Sequence, residues 1–155
     1  MKRIQIKRIQ PAAYDAMNVL EHYVANSTID KIHQELIKIR ASQINGCAYC
    51  VDMHTHDALK AGESLQRILL VSAWKEAGAI FTEEERLLFQ MTEEITLIHQ
   101  RGLADDTYAK AIELLGEEKT AQVVMAVITI NAWNRIGVAT ELRPPQRNRL
   151  LISNY

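Results

Sequence analysis

Residues 35–64 read ELIKIRASQINGCAYCVDMHTHDALKAGES, and this stretch decides the fold of the chain. Apolar residues from Ile29 to Ile44 recur at steps of three and four, which predicts a helix. Asn45-Gly46 interrupts the pattern as a turn, and Cys47 to Ala61 resumes it as a second helix. The stretch therefore predicts two helices joined by a tight turn.

The rest of the chain shows the same helical periodicity. Its only prolines are Pro11, Pro144 and Pro145, so nothing between them forbids a helix. Helix caps are expected at Ser27 or Thr28, at Ser64, at Thr82 with Glu85 as a capping box, and at Asp105. The predicted helices are Met17–Val24, Ile29–Ile44, Cys47–Ala61, Ser64–Ala73, Thr82–His99, Asp105–Leu115 and Glu117–Ile136. The last is apolar on most faces, which predicts a place at the centre of the core or in a subunit interface.

Composition and charge exclude several classes of protein. The chain has 155 residues, of which 48% are hydrophobic, enough for one domain over residues 1–155 to build a core. Its 18 basic and 19 acidic side chains nearly cancel, so no nucleic-acid partner is expected. The longest apolar stretch, at residues 123–128, is too short to cross a membrane, and no apolar signal segment follows the basic residues at the start. The sequence predicts a cytoplasmic, all-α protein with about six to seven helices and no membrane partner.

The two cysteines of the central stretch carry the candidate chemistry. Helical spacing places Cys47, Cys50 and His54 on one face, where their side chains can touch. The first turn of a helix stabilises a thiolate, the form that attacks peroxides and disulfides. Cys50 lies one turn from His54 and is the expected nucleophile, whereas Cys47 is expected nearer to solvent as the resolving partner. The spacing thus predicts a redox pair whose disulfide an external thiol reduces.

The proton partner of His54 is left open by the spacing. A carboxylate should fix the tautomer of the imidazole and accept protons from it. Glu35 on the preceding helix competes for this place with Glu21, Asp52 and Asp57.

Other interpretations of the cysteine pair also stay open. The two thiols could be inert, buried apolar groups. Alternatively, Cys47, Cys50 and His54 could bind zinc together with Glu35 or His56. A thioredoxin-like motif is not favoured, because the alternating strands and helices of that fold are missing. Neither a resident metal nor a cofactor is expected.

The central motif closely resembles the core of the alkylhydroperoxidase AhpD-like proteins, which belong to the carboxymuconolactone decarboxylase superfamily. The resemblance is carried by residues 36–54 within the motif core 35–64, and it continues to Arg135. In the family a glutamate precedes the first cysteine by twelve residues, and a histidine follows the second cysteine by four. Glu35, Cys47, Cys50 and His54 match these positions one by one.

The resemblance implies both a fold and a mechanism. The implied fold is an AhpD-like helical bundle assembled as trimers or hexamers. The implied chemistry makes Cys50 peroxidatic and Cys47 resolving, with Glu35 and His54 as a proton relay that runs partly through water. The substrate would be a small hydroperoxide, and the reductant an external thiol or dithiol, such as a lipoylated or thioredoxin-like protein.

Tyr49 departs from the pattern of the hydroperoxide reductases in this family. Those enzymes carry a second histidine immediately before the second cysteine. A phenol does not act as a general base at neutral pH, so part of the relay is changed and peroxidase activity is expected to be weaker. The same enzymes are longer than this chain.

Trp133 and Asn134 are further candidates for the pocket. They belong to Asn131-Ala132-Trp133-Asn134-Arg135, a polar interruption of an otherwise apolar helix. Buried polar groups need partners, so these residues could line a pocket near the thiols or fix a subunit contact. The structural interpretation is favoured.

Three hypotheses of function follow. The leading one is a thiol-dependent peroxidase or disulfide oxidoreductase of antioxidant defence. The second is a lyase of the carboxymuconolactone decarboxylase type, acting on a small lactone acid, although decarboxylation has no use for a disulfide. The third is a non-catalytic, redox-sensing oligomer.

Overall fold

The computed structural model describes residues 3–146, in which seven α-helices and two 3₁₀ turns follow one another without a strand. The helices are α1 (Ile6–Ile9), α2 (Pro11–Ala25), α3 (Lys31–Asn45), α4 (Ala48–Lys60), α5 (Leu65–Leu70), α6 (Glu83–Thr96) and α7 (Asp105–Ala139). The 3₁₀ turns, Val71–Ala73 and Gly78–Ile80, lie between α5 and α6. The predicted all-α bundle is confirmed. The domain bounds 1–155 stay a prediction, since residues 1–2 and 147–155 lie outside the described part.

The sequence predicts the C-terminal end of α3 correctly but not the cap at its N-terminal end. Its first turn is capped by Asp30, whose carboxylate accepts the backbone N–H of Ile32 at 2.8 Å. The predicted caps Ser27 and Thr28 are therefore wrong; Thr28 instead donates its hydroxyl to Gln122 at 2.7 Å. At the other end, Gly46 has a φ of +67°, the left-handed conformation that glycine adopts without strain. The predicted turn between the two helices is confirmed.

The ends of α6 and α7 also differ partly from the expectation. The capping box of α6 is present, because Thr82 accepts the Glu85 N–H and the Glu85 carboxylate accepts the Thr82 N–H. Asp105 is not a cap; it is the first residue of α7, where a carboxylate still complements the helix dipole. The two helices predicted on either side of Gly116 are present as two segments of α7, which kinks at this glycine (φ 76°, ψ 169°).

The core is built around α3, which packs against α4, α6 and α7. One cluster of buried apolar residues joins α3 to α6 and α7, and it comprises Val24, Ile29, Ile37, Leu87, Leu88, Met91, Ala111, Val123, Ala126 and Val127. The second lies between α3, α4 and the 3₁₀ region, and it comprises Leu36, Ile39, Ala58, Ile68, Val71, Trp74, Phe81 and Phe89. The core is thus centred on α3, and α7 contributes Val123, Ala126 and Val127 to it, whereas its Ile128 is 44% exposed. A subunit contact through α7 stays a prediction.

No helix within residues 3–146 combines the length and the apolar character that a membrane span requires.

Candidate active site

Cys47 and Cys50 lie at the start of α4 and form a disulfide. Cys47 occupies the N-cap position directly after the Gly46 turn, and Cys50 lies in the first turn of the helix. Their Cα atoms are 5.3 Å apart. The sulfur of Cys47 also accepts the backbone N–H of Cys50 at 3.4 Å, as an N-cap side chain does. The predicted proximity of the two cysteines is confirmed.

Both sulfurs are deeply buried. The exposed fraction is 2% for Cys47 and 4% for Cys50, so the expectation that Cys47 lies nearer to solvent is wrong. The reason is the last turn of α7, which passes over the pair at Gly137. Because this helix lies about ninety residues further along the chain, the local sequence carries no sign of the cover.

His54 is paired with Glu35 across the interface of α3 and α4. The Nδ1 atom of His54 lies 2.8 Å from a carboxylate oxygen of Glu35, and both residues are buried. When Nδ1 carries the proton and donates it to this bond, Nε2 becomes the free base of the ring. Of the carboxylates considered from sequence, Glu35 is therefore the one that bonds the imidazole at Nδ1.

Glu35 is held as a carboxylate inside the protein. Burial raises its pKa, but the hydrogen bond from His54 and the positive charge of Lys38 lower it by more, so the pKa lies below the ordinary value. The ammonium group of Lys38 is buried 3.6 Å from Glu35 and 2.6 Å from Glu21. The site thus contains a continuous line of alternating charges from Glu21 through Lys38 to Glu35.

The ionisation of Glu35 predicts a loss of stability in acid. Because its pKa in the folded protein lies below the ordinary glutamate value of 4.5, its ionised form stabilises the fold at pH values above 4.5. This contribution is lost as the pH falls through the folded-state pKa. We expect urea unfolding between pH 7 and pH 3 to show a smaller acid-induced loss in Glu35→Gln than in the wild-type protein.

Glu85 and Glu93 also have lowered pKa values, so their stabilising contributions are lost in acid as well. Burial raises the pKa of each, but hydrogen bonds lower it by more, from Arg67 to Glu85 and from Trp74 to Glu93. The wild-type protein and Glu35→Gln both keep these two carboxylates. The difference between their curves of stability against pH therefore reports Glu35 alone. Parallel curves would contradict the assignment of a lowered pKa to Glu35.

A cavity of about 310 Å³ lies beside the His54–Glu35 pair. Its apolar and aromatic wall is formed by Tyr14, Tyr49, Met53, Trp133, Ile136 and Leu142. Its polar wall is formed by Asn18, Glu21, Lys31, Glu35, Lys38, His54 and Asp57. The two sulfurs are not part of the wall. The cavity is therefore large enough for a small organic molecule and places the imidazole, not the disulfide, at its surface.

The predicted pocket residues behave differently. Tyr49 and Trp133 line the cavity, and the indole N–H of Trp133 donates to Glu21 at 3.2 Å. Asn134 does not line it: it is fully buried, donates to Ser42 at 2.9 Å, and accepts from Asn45 at 2.9 Å. Asn134 thus ties α7 to the end of α3, which agrees with the structural interpretation of this segment.

Sequence reasoning missed Lys38 and Tyr14 as parts of the site. Lys38 could have been found, since it follows Glu35 by three residues and so shares its helix face. Tyr14 packs edge-on against Trp133, with 5.1 Å between the ring centroids. These two aromatic residues lie far apart in the sequence, and no local pattern predicts their contact.

The zinc interpretation is not supported by the arrangement of the ligand atoms. Within residues 3–146, the group of three candidate ligands that lie within 4.8 Å of one another consists of Glu35, His54 and Asp57. The sulfurs belong to the disulfide and do not join this group. The carboxylate of Glu35 already faces a lysine and an imidazole, which satisfy its charge without a metal.

The sequence matches the carboxymuconolactone decarboxylase family over residues 11–94. The chain is 41% identical over 138 residues to a Bacillus subtilis protein named only as uncharacterized protein YdfG, covering 89% of this chain and 93% of that one. It is 37% identical over 59 residues to an alkyl hydroperoxide reductase AhpD of Coxiella burnetii, covering 36% of this chain. The chain matches 33% of the length of that enzyme, so the likeness concerns one segment of it.

Solved structures show the same architecture over almost the whole chain. A crystal structure from Agrobacterium tumefaciens, described as a protein of unknown function and proposed to be an antioxidant defence protein AhpD, superposes with a TM-score of 0.90 at 37% identity. The match covers 95% of this chain and 100% of that one. A peroxidase-related protein of Silicibacter shares the fold, with a TM-score of 0.75 at 16% identity over 84% of this chain and 69% of that one. The chain therefore belongs to the carboxymuconolactone decarboxylase family, as an AhpD-like member.

Proposed function

We propose that the protein is a thiol-dependent peroxidase, or a closely related disulfide oxidoreductase, of antioxidant defence. Cys50, Cys47, His54 and Glu35 would carry the reaction. The observation that supports this most directly is the disulfide at the start of α4, one helical turn from a buried imidazole that is bonded to a carboxylate at 2.8 Å. A redox pair beside a proton relay is suited to the reduction of a peroxide bond by thiols.

The oxidative half of the reaction begins with the reduced cysteines. The thiolate of Cys50 attacks one oxygen of the hydroperoxide, the O–O bond breaks, and the alkoxide takes a proton and leaves as an alcohol. His54 receives the thiol proton and returns it to the leaving oxygen, while Glu35 holds the imidazole in the required tautomer. The thiol of Cys47 then attacks the sulfenic acid on Cys50, which releases water and forms the disulfide.

The reductive half consumes an external dithiol. One thiolate of the donor attacks a sulfur of the disulfide, and its second thiol resolves the mixed disulfide. Two electrons and two protons pass to the cysteine pair, and the donor becomes a disulfide. A lipoylated or thioredoxin-like protein provides this chemistry, and a small dithiol can replace it in an assay.

The cavity supports an organic hydroperoxide as substrate. Its apolar wall includes Met53 and Ile136 as well as the Tyr14–Trp133 pair, which suits a hydrocarbon group better than water or hydrogen peroxide. Since the sulfurs are not in this wall, the reaction requires the Cys50 side chain to turn toward the cavity once it is free of Cys47. We infer that this change is a rotation of the Cys50 side chain about χ1.

We also propose that the protein forms a homo-oligomer and acts in the cytoplasm. Several apolar side chains on α7 are exposed, among them Tyr108 at 52%, Leu114 at 43% and Ile128 at 44%. Covering them in a homo-oligomer, a trimer or a hexamer, would remove this apolar surface from water. The cytoplasm would supply the reducing thiols that the cycle needs.

The direct test is consumption of an organic hydroperoxide by the purified protein. We expect cumene hydroperoxide to be consumed only when a dithiol is present, and the oxidised protein to contain the Cys47–Cys50 disulfide by mass spectrometry. Dihydrolipoamide, dithiothreitol and reduced thioredoxin serve as alternative donors. Reduced glutathione, a monothiol, serves as a comparison, because it lacks the second thiol that resolves the mixed disulfide intramolecularly.

The alternatives give different outcomes in this assay. Turnover of a lactone acid without any thiol would contradict the proposal in favour of a lyase. A disulfide that forms slowly, with no catalytic consumption of hydroperoxide by any donor, would contradict it in favour of a redox sensor.

A further inference from the structure

Gly137 is the one glycine of this chain whose backbone does not explain its presence. The chain has six glycines, and Gly46, Gly62, Gly78, Gly102 and Gly116 all have a positive φ. Gly137 lies in the last turn of α7 with helical dihedral angles, where alanine would be the more stable residue. The missing side chain therefore calls for an explanation other than chain conformation.

The explanation lies in the distance to the sulfurs. A Cβ atom built on Gly137 would lie 3.0 Å from the sulfur of Cys47 and 3.5 Å from the sulfur of Cys50. The first distance is shorter than ordinary packing allows, whereas at the other five glycines a Cβ would meet nothing closer than 3.8 Å. The backbone of α7 thus approaches the disulfide so closely that a side chain at position 137 would require the Cys47 sulfur or the helix to shift by a few tenths of an ångström.

The last turn of α7 is also held in this place. The carbonyl of Gly137 accepts the N–H of Leu142 at 2.9 Å, and the carbonyl of Ala139 accepts a bond from Arg3 at 3.4 Å. Arg3 forms an ion pair with Glu141 at 3.1 Å as well. The end of α7 is therefore tied to its surroundings, and moving it away from a methyl group at position 137 would disturb these contacts.

We propose that Gly137 is a positioning residue for the cysteine pair, which leaves room for the Cys47 sulfur in the disulfide and so sets the balance between disulfide and dithiol. The inference rests on the proposed redox function of that pair. In the dithiol the sulfurs are no longer bonded, and Cys47 can take another χ1 rotamer away from α7. A side chain at position 137 then penalises the disulfide more than the dithiol.

The test is a redox titration of Gly137→Ala against the wild-type protein. Both are equilibrated with mixtures of reduced and oxidised dithiothreitol, which exchanges two electrons and two protons with the cysteine pair, and free thiols are trapped with a maleimide reagent. We expect the alanine variant to be reduced at a dithiol ratio about tenfold lower, a potential about 30 mV less negative. Ala139→Gly is the matched control, since it alters helix propensity in the same turn at an exposed position and should titrate like the wild type.

Thermal unfolding of both redox forms keeps the inference testable if Gly137→Ala folds poorly. A variant that folds when reduced and loses its fold when oxidised would support the inference. Equal loss of stability in both forms would overturn it, because the space would then serve packing alone, and so would a titration that coincides with the wild type. A wild-type protein with a measurable dithiol equilibrium but no peroxide turnover would overturn the peroxidase proposal and leave the role of Gly137 intact.

Discussion

Replacement of Cys50 by serine is expected to reduce the dithiol-dependent consumption of organic hydroperoxide by at least about 10³-fold, as loss of a catalytic nucleophile does elsewhere. A hydroxyl remains protonated at neutral pH and does not attack the peroxide bond. Serine is close to cysteine in size, and its hydroxyl can bond a backbone carbonyl of the same helix, so the fold should survive at this buried position. The measurement is the steady-state rate with cumene hydroperoxide and dithiothreitol, with far-UV circular dichroism as the check on folding.

Cys47→Ser is the matched variant that separates the roles of the two sulfurs. We expect it to react once, to consume one equivalent of hydroperoxide, and to leave a sulfenic acid on Cys50 that dimedone traps. The two roles have to be separated by experiment, because the environment of Cys47 also favours a thiolate. Its sulfur accepts the N–H of Cys50, and the helix terminus stabilises a negative charge there. That environment suits a leaving group in reduction of the disulfide. Dimedone labelling of Cys47 in the Cys50→Ser variant, with none of Cys50 in the other, would instead identify Cys47 as the nucleophile.

The parts of the fold that could be predicted from the sequence depend on local physics. Spacing of apolar residues located α3 and α4, and Gly46 located the turn between them, because only the conformation of those residues decides these features. The sequence suggests Ser27 or Thr28 as the cap of α3, but Asp30 forms it. Adjacent residues with similar capping side chains compete, and the packing of Thr28 against Gln122 decides the outcome.

In the site, too, the sequence predicts what local spacing decides and misses what tertiary packing decides. Cys47 and Cys50 are bonded at the start of α4, and His54 follows one turn further along the same helix, so the spacing in the sequence could identify all three. It could not foresee that both sulfurs are buried, because their cover is the last turn of α7, which reaches them only through the packing of the whole bundle. The same holds for the cavity, whose aromatic wall combines α2 and α7. Local patterns thus locate reactive groups, and tertiary contacts determine which of them a substrate can reach.

Glu35→Gln is the second variant with a large expected effect, a loss of about 10²-fold in turnover, within the range of general acid–base catalysis. The amide has nearly the same shape and can still accept a hydrogen bond from His54, so the imidazole should keep its position. What it removes is the negative charge that lies 2.8 Å from the ring while His54 carries the thiol proton. We expect the loss to appear in the turnover rate across the neutral range and the amount of Cys47–Cys50 disulfide at equilibrium to change little.

Glu93→Gln provides the control for the general effect of losing a buried, paired carboxylate. Glu93 lies on α6 and accepts hydrogen bonds from Arg40 and Trp74. Like Glu35, it has a pKa below the ordinary value, because its hydrogen bonds outweigh the effect of burial. It does not line the cavity beside His54. Both variants should therefore lose stability, whereas only Glu35→Gln should lose turnover. Equal turnover in the two variants would mean that the charge of Glu35 serves the fold and that His54 moves its proton without it.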